Sequence, residues 1–241
     1  MADECFGHPR LAAIYDPLDP DRGDLDAYLG MAQELEARSV LDIGCGTGVF
    51  ALLLADRGIE VTGVDPARAS IDVARAKPGS ERVRWICGDA TVLPPLQVDL
   101  ATMTANVAQA IADPRTWQKT LQQAHDALRP GGHLVFETRD PTGRAWEKWT
   151  REDSYGVTEI PGVGFVESWI QLTDVRLPLV TFRWTYVFAA DGKVLTSDST
   201  LRFREQEEVE QDLGAHAFVV EEVRDAPDRP GKEFVFLARR L

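Results

Sequence analysis

A chain of 241 residues with 44 % hydrophobic and 27 % charged side chains has the makeup of a soluble globular protein, one domain with an insertion or one and a half domains. Its formal net charge of -13 repels phosphate backbones and anionic lipids, which disfavours nucleic acid and membrane surfaces as partners. Cys5, Cys45 and Cys87 lack C-x-x-C spacing and the acidic start Met1-Ala2-Asp3-Glu4 precedes no apolar leader, so neither a disulfide framework, a metal site nor a membrane span is expected, and the cytoplasm is the expected compartment.

Residues 11–15 form an apolar cluster, 16–23 are rich in turn formers, and 25–37 are predicted helical with Asp24 as N-cap. Ser39-Val40-Leu41-Asp42-Ile43-Gly44-Cys45-Gly46-Thr47-Gly48 then leads into Val49-Phe50-Ala51-Leu52-Leu53-Leu54-Ala55, a pattern of strand, tight turn and helix. Glycines at alternate positions let the backbone take positive φ and let a ligand come close, and the helix start beyond offers unpaired N–H groups. The turn reads as a ligand cradle. Residues 60–65 form a second strand ending in Asp65, 17 positions after Gly48. That is close to the spacing at which an acid meets a ribose diol. As Pro66 follows, Asp65 also suits the N-cap of a helix over 66–76, and the two roles are compatible.

A third strand, 83–87, runs into Gly88-Asp89-Ala90, by itself an ordinary turn pair. A fourth, 98–103, is followed by Thr104-Ala105-Asn106, at the strand end where open α/β sheets bind ligands. Asp113-Pro114 opens a helix with Trp117, Leu121, Ala124 and Leu128 at helical spacing, and 133–138 form a fifth strand. Five strands alternating with helices predict a parallel sheet covered on both faces. From Pro141 the pattern changes to strands over 165–172, 179–188 and 194–203, with Asp191-Gly192 as a two-residue hairpin turn. That turn would set Phe188 opposite Leu195, Trp184 opposite Ser199 and Val180 opposite Phe203. Val180, Phe182, Trp184, Tyr186 and Phe188 would then share a buried face with Leu195, Leu201 and Phe203, leaving Thr181, Arg183, Thr185, Asp198 and Arg202 on a wet one. A helix over 205–213 and strands over 217–223 and 233–238 close the chain.

Two nucleotide-cradle patterns fail. Val49 stands where the third glycine of G-x-G-x-x-G would fall, and no Lys-Ser or Lys-Thr follows the glycines. Asp42-x-Gly44-x-Gly46-x-Gly48 instead resembles the first motif of the class I S-adenosylmethionine-dependent methyltransferases, and Tyr15-Asp16 with Arg22-Gly23 is similar to the entry segment of their small-molecule branch, which includes amino-sugar N-methyltransferases. The resemblance implies an α/β, Rossmann-like doubly wound, mostly parallel seven-stranded sheet whose last strand is antiparallel, with a small antiparallel β insertion. It divides the chain into a cap over the cofactor (1–38), the cofactor-binding core (39–140), the insertion as substrate wall or interface (141–204), and the last helix and strands (205–241). Asp42 would meet the methionine amino group, with Gly44, Cys45 and Gly46 along the amino-acid half. Asp65 would take the ribose, Asp89 and Ala90 the adenine, and Thr104 and Asn106 the methionine end. Tyr15 would pack on the cofactor and Arg22 meet its carboxylate; taken alone, they read equally as an apolar anchor and a solvated loop residue.

Methyl transfer from a sulfonium is an in-line displacement with an activated leaving group, so positioning carries much of it and a base is needed only for a protonated acceptor. No catalytic residue stands out accordingly: His125 falls in a helix, His133 starts a strand at the far end of the sheet, and Glu137 and Arg139 are better placed to touch a substrate. The expected activity is transfer from S-adenosylmethionine to N or O of a small-molecule acceptor, leaving S-adenosylhomocysteine, by a monomer or homodimer. An NAD-dependent oxidoreductase is disfavoured by Val49 and by the absence of a Tyr-x-x-x-Lys pair; a non-catalytic S-adenosylmethionine-binding protein is the other alternative.

Overall fold

The computed structural model describes residues 3–241; the first two residues of the predicted cap lie outside the described residues. Three single-turn helices, α1 (Glu4–Gly7), α2 (Pro9–Ala12) and α3 (Tyr15–Leu18), lead to α4 (Asp26–Glu34). The core then alternates β1 (Ser39–Ile43), α5 (Val49–Asp56), β2 (Glu60–Asp65), α6 (Arg68–Ala76), β3 (Val83–Cys87), β4 (Val98–Met103), α7 (Val107–Ala110), α8 (Pro114–Ala127) and β5 (Leu128–Arg139). After α9 (Arg151–Ser154), four strands β6 (Gly156–Ile160), β7 (Gly164–Arg176), β8 (Leu179–Phe188) and β9 (Val194–Arg202) precede α10 (Gln206–Ala215), β10 (Phe218–Asp225) and β11 (Glu233–Arg240).

The main sheet runs in the order β10-β11-β5-β4-β1-β2-β3, with β11 antiparallel to both neighbours and the other pairs parallel. Apolar residues alternate across it because a strand points successive side chains to opposite faces. Leu41, Leu134 and Phe136 meet Trp117 and Leu121 of α8 and Leu213 of α10 on one side. Val40, Val61 and Val135 meet Leu29 of α4 and Phe50 and Leu54 of α5 on the other. The predicted doubly wound sheet is the one observed.

The structure corrects several local expectations. Asp24 does not cap α4; its carboxylate accepts from Arg22 Nε and Nη2 at 3.0 and 3.1 Å. α6 starts two residues later than predicted, with Asp65 Oδ1 accepting from the Ala67 N–H at 2.7 Å. β6 adds a strand that sequence patterning missed: its exposed face carries Val157 and Glu159, and on the other face Ile160 is the one large apolar residue beside Gly156 and Thr158. The hairpin pairs Val187 with Val194 and Val180 with Leu201. A two-residue type I′ turn needs positive φ at both central positions, and of Asp191 and Gly192 only Gly192, at 68°, has it. The loop is therefore longer, closed by Gly192 N–H to Phe188 O at 2.8 Å. Because the pairing moved by an even step, most of the predicted alternation survives: Val180, Phe182, Tyr186, Phe188, Leu201 and Phe203 are buried, Trp184 and Leu195 are half-buried, and Arg183 meets Asp198 at 2.7 and 2.8 Å on the outer face, whereas Thr185, expected on the wet face, is buried.

Candidate functional site

The three glycines of the turn after β1 are all left-handed, with φ of 72°, 54° and 81° at Gly44, Gly46 and Gly48. The turn is stitched to the end of β2 by the Gly44 and Cys45 N–H groups, which donate to Val64 O at 2.8 and 3.2 Å. A Cβ on Gly44 would stand 2.4 Å from Val107 Cγ2 and one on Gly48 would stand 2.4 Å from Trp85 Cη2, whereas one on Gly46 would meet no protein atom within 4 Å. Gly44 and Gly48 are thus glycine because protein packs on them; Gly46 is glycine where open space begins.

That space is a cavity of about 460 Å³ at the C-terminal ends of β1, β2 and β4, within the range of small-molecule sites. Its floor is Asp42, Gly44, Cys45, Gly46 and Thr47; Asp65, Asp89 and Ala90 stand along one side and Thr104 and Ala105 along another. Tyr15 and Arg22 line it from the N-terminal segment, together with Phe6, whose ring lies 5.3 Å from that of Tyr15. The segment is fastened there by Asp16, which accepts from Thr47 Oγ1 at 2.6 Å and pairs with Lys77 Nζ at 2.5 Å, while Lys77 also donates to Thr47 O at 2.8 Å. Burial pushes the Tyr15 hydroxyl up to about 12, so it stays neutral.

Asp42 is the electrostatic centre of the floor. It is 1 % exposed; Oδ1 accepts from Thr102 Oγ1 at 3.1 Å and Oδ2 has no partner in the protein. Burial, with a smaller contribution from the nearby Asp65 carboxylate, pushes its pKa up to about 7 despite the Thr102 hydrogen bond. A buried acceptor without a donor costs about 1–3 kcal/mol, and a cationic donor in the cavity would relieve both that cost and the unfavourable charge. Asp65 is held differently: Oδ1 takes the Ala67 N–H and Oδ2 the Gly46 N–H at 2.9 Å. Asp89, which is exposed, uses Oδ1 for Thr91.

Three predicted residues do not line the cavity: Asn106, Glu137 and Arg139. Glu137 points from β5 to the α4 face of the sheet. There it is 2 % exposed and accepts from Tyr28 Oη at 2.6 Å and from the Asn106 N–H. Burial pushes its pKa up to about 7. Arg139 lies 3.5 Å from Glu233 with its guanidinium 5.6 Å from the Trp149 ring centre. Sequence reasoning missed the wall formed by Ala110, Ile111, Ala112, Asp113 and Thr116. The signal was present in Asp113-Pro114, since Asp113 Oδ1 caps α8 by accepting from Thr116 N at 2.8 Å, and a helix that starts after a strand's C-terminal end starts beside the ligand edge. Arg204 was missed as well. It is 1 % exposed, donates from Nη1 and Nη2 to Ala108 O and Ile111 O at 2.7 Å each, and lies 4.4 Å from the Trp117 ring centre.

An open α/β sheet with a glycine turn after its first strand, and an acid at the end of its second, is an arrangement in which α/β proteins bind ligands at the strand ends. Residues 40–132 match the family described as methyltransferase domain. The chain is 28 % identical over 182 residues to malonyl-[acyl-carrier protein] O-methyltransferase of Serratia marcescens, covering 72 % of this chain and 65 % of that protein. The chain spans about half or less of the length of the next curated relatives it matches. Among solved structures, a methyltransferase from Streptomyces caelestis superposes with a TM-score of 0.80 at 22 % identity over 99 % of both chains. An S-adenosylmethionine-bound amino pentose methyltransferase from Micromonospora echinaspora gives 0.72 at 22 % identity over 95 % of both. These two likenesses establish the fold. Among the described residues no cluster of metal-ligating side chains occurs, and no helix is long and apolar enough to cross a membrane.

Proposed function

We propose that this chain is an S-adenosylmethionine-dependent methyltransferase acting on N or O of a small-molecule acceptor. The observation that carries the reading is Asp42 Oδ2, a fully buried carboxylate oxygen without a partner at the floor of the cavity. The amino group of a bound methionine moiety is the donor it lacks. Gly46 adds a place where backbone can lie against a ligand, since no protein atom fills the space a side chain would take. Asp65 would take the ribose hydroxyls, Asp89 and the Ala90 N–H the adenine edge, and Thr104 and the turn after it the methionine end. Tyr15 and Arg22, with residues 1–38 generally, would cover the bound molecule and exclude water, and the sheet within 141–204 would wall the acceptor side.

When bound, the cofactor supplies a methyl group made electrophilic by a sulfonium. The protein's share is then orientation of the acceptor against it, which by itself lowers a displacement barrier substantially. Calorimetric titration with S-adenosylhomocysteine, with NAD as the parallel ligand, tests the reading. Micromolar binding of the first and none of the second is expected, followed by acceptor-dependent turnover in a screen of small amines and alcohols; binding of NAD alone would overturn it.

A further inference from the structure

The turn after β4 holds two successive non-glycine residues in the left-handed region, Ala105 at φ 57° and Asn106 at φ 65°. For residues with a Cβ this conformation is unfavourable, more so for Ala105 than for Asn106, and it persists where the surroundings impose it. Asn106 adds a second cost, because its buried Oδ1 has no partner. The turn is thus held against its own preference. What holds it is on the opposite side from the cavity: the Asn106 N–H donates to Glu137 Oε1, and the other oxygen of that carboxylate is fixed by Tyr28 of α4 at 2.6 Å. On the near side, Thr104 and Ala105 line the cavity, and Val107 packs so closely on the glycine turn that Gly44 has no room for a Cβ.

We infer that Glu137 is a positioning residue: backed by Tyr28, its carboxylate clamps the strained Ala105-Asn106 turn and thereby sets where the cavity wall meets the ligand. This rests on the cofactor reading above only for its consequence. A buried carboxyl group whose two oxygens are taken by Tyr28 and the Asn106 N–H ties the turn to α4, and it acts from outside the cavity.

The test compares Glu137→Ala in the parent chain and in a background carrying Ala105→Gly and Asn106→Gly, because glycine takes these φ values unaided. Amide hydrogen exchange of the free protein across 104–107 reads the clamp, and S-adenosylhomocysteine titration reads its consequence. In the parent background Glu137→Ala is expected to speed exchange at Asn106 and to weaken the ligand about tenfold, the size of one lost strain-holding contact. In the glycine background the ligand loss should shrink to about threefold or less. Unchanged exchange at Asn106, or an equal loss of affinity in both backgrounds, would overturn the inference and leave Glu137 a packing residue. Should Glu137→Ala not fold, Tyr28→Phe removes one of the two hydrogen bonds at constant shape and is read the same way. A parent protein that fails to bind S-adenosylhomocysteine would refute the cofactor reading, while exchange at Asn106 would still decide the clamp.

Discussion

The Gly46 N–H donates to Asp65 Oδ2 at 2.9 Å, so the acid that ends β2 is tied to the glycine turn that follows β1, and the two parts of the cradle form one unit. Asp65→Ala therefore removes a ligand acceptor and a tie within the turn together. S-adenosylhomocysteine binding by this variant should be weaker by about 1–3 kcal/mol in a calorimetric titration, the cost of an unpaired polar contact.

Asp42 makes stability and binding oppose each other. Its folded pKa, about 7, lies above the ordinary 3.8, so the folded chain holds this proton more tightly than the unfolded one. The group's contribution is full below pH about 4, declines as pH rises towards 7, and is flat above. Asp42→Asn removes the decline. Thermal melts should find the variant more stable than the parent at pH 8 and similar to it at pH 4, whereas its affinity for S-adenosylhomocysteine at pH 8 should fall about tenfold or more, since a charged acceptor is lost.

The glycines separate packing from binding. Gly48→Ala places a Cβ 2.4 Å from Trp85 and 2.9 Å from Ala74 at φ 81°, combining overpacking with left-handed strain. A stability loss of about 3 kcal/mol or more is expected, read as a drop in melting temperature of about 6 °C or more. Gly46→Ala meets no clash and should cost only about 1–2 kcal/mol of stability. Its methyl group enters the cavity, so ligand affinity should fall more steeply than stability.

Arg204 supports the cavity wall from behind. Burial pulls its pKa down to about 10, which leaves it charged at neutral pH, bridging the carbonyls of Ala108 and Ile111. Arg204→Ala strands both carbonyls and empties the space beside Trp117, for an expected loss of about 3 kcal/mol in a denaturant melt. Arg204→Lys should recover only part of it, because a single ammonium cannot reproduce the two-pronged guanidinium geometry.

The strand, turn and helix around Gly44, Gly46 and Gly48 were legible in the sequence because their causes are local: apolar periodicity, positive-φ glycines and helix formers act within a few residues. Asp42 and Asp89 were singled out by the family resemblance and Asp65 also by its spacing; the structure sets all three on one cavity because the ends of parallel strands share one edge of the sheet. Most of the alternation of the hairpin from β8 to β9 was readable without its register, because burial follows a period of two that an even slip preserves. Only the tertiary structure decided where Glu137 points. Its place at the end of β5 suggested a substrate contact, but strand alternation turns it to the α4 side, where Tyr28, 109 positions away, and the Asn106 N–H take both oxygens. The wall from Ala110 to Asp113 and its support by Arg204 were settled in the same way. Such roles depend on partners distant in the chain, and no spacing within a segment encodes which distant group will fill a buried hydrogen bond.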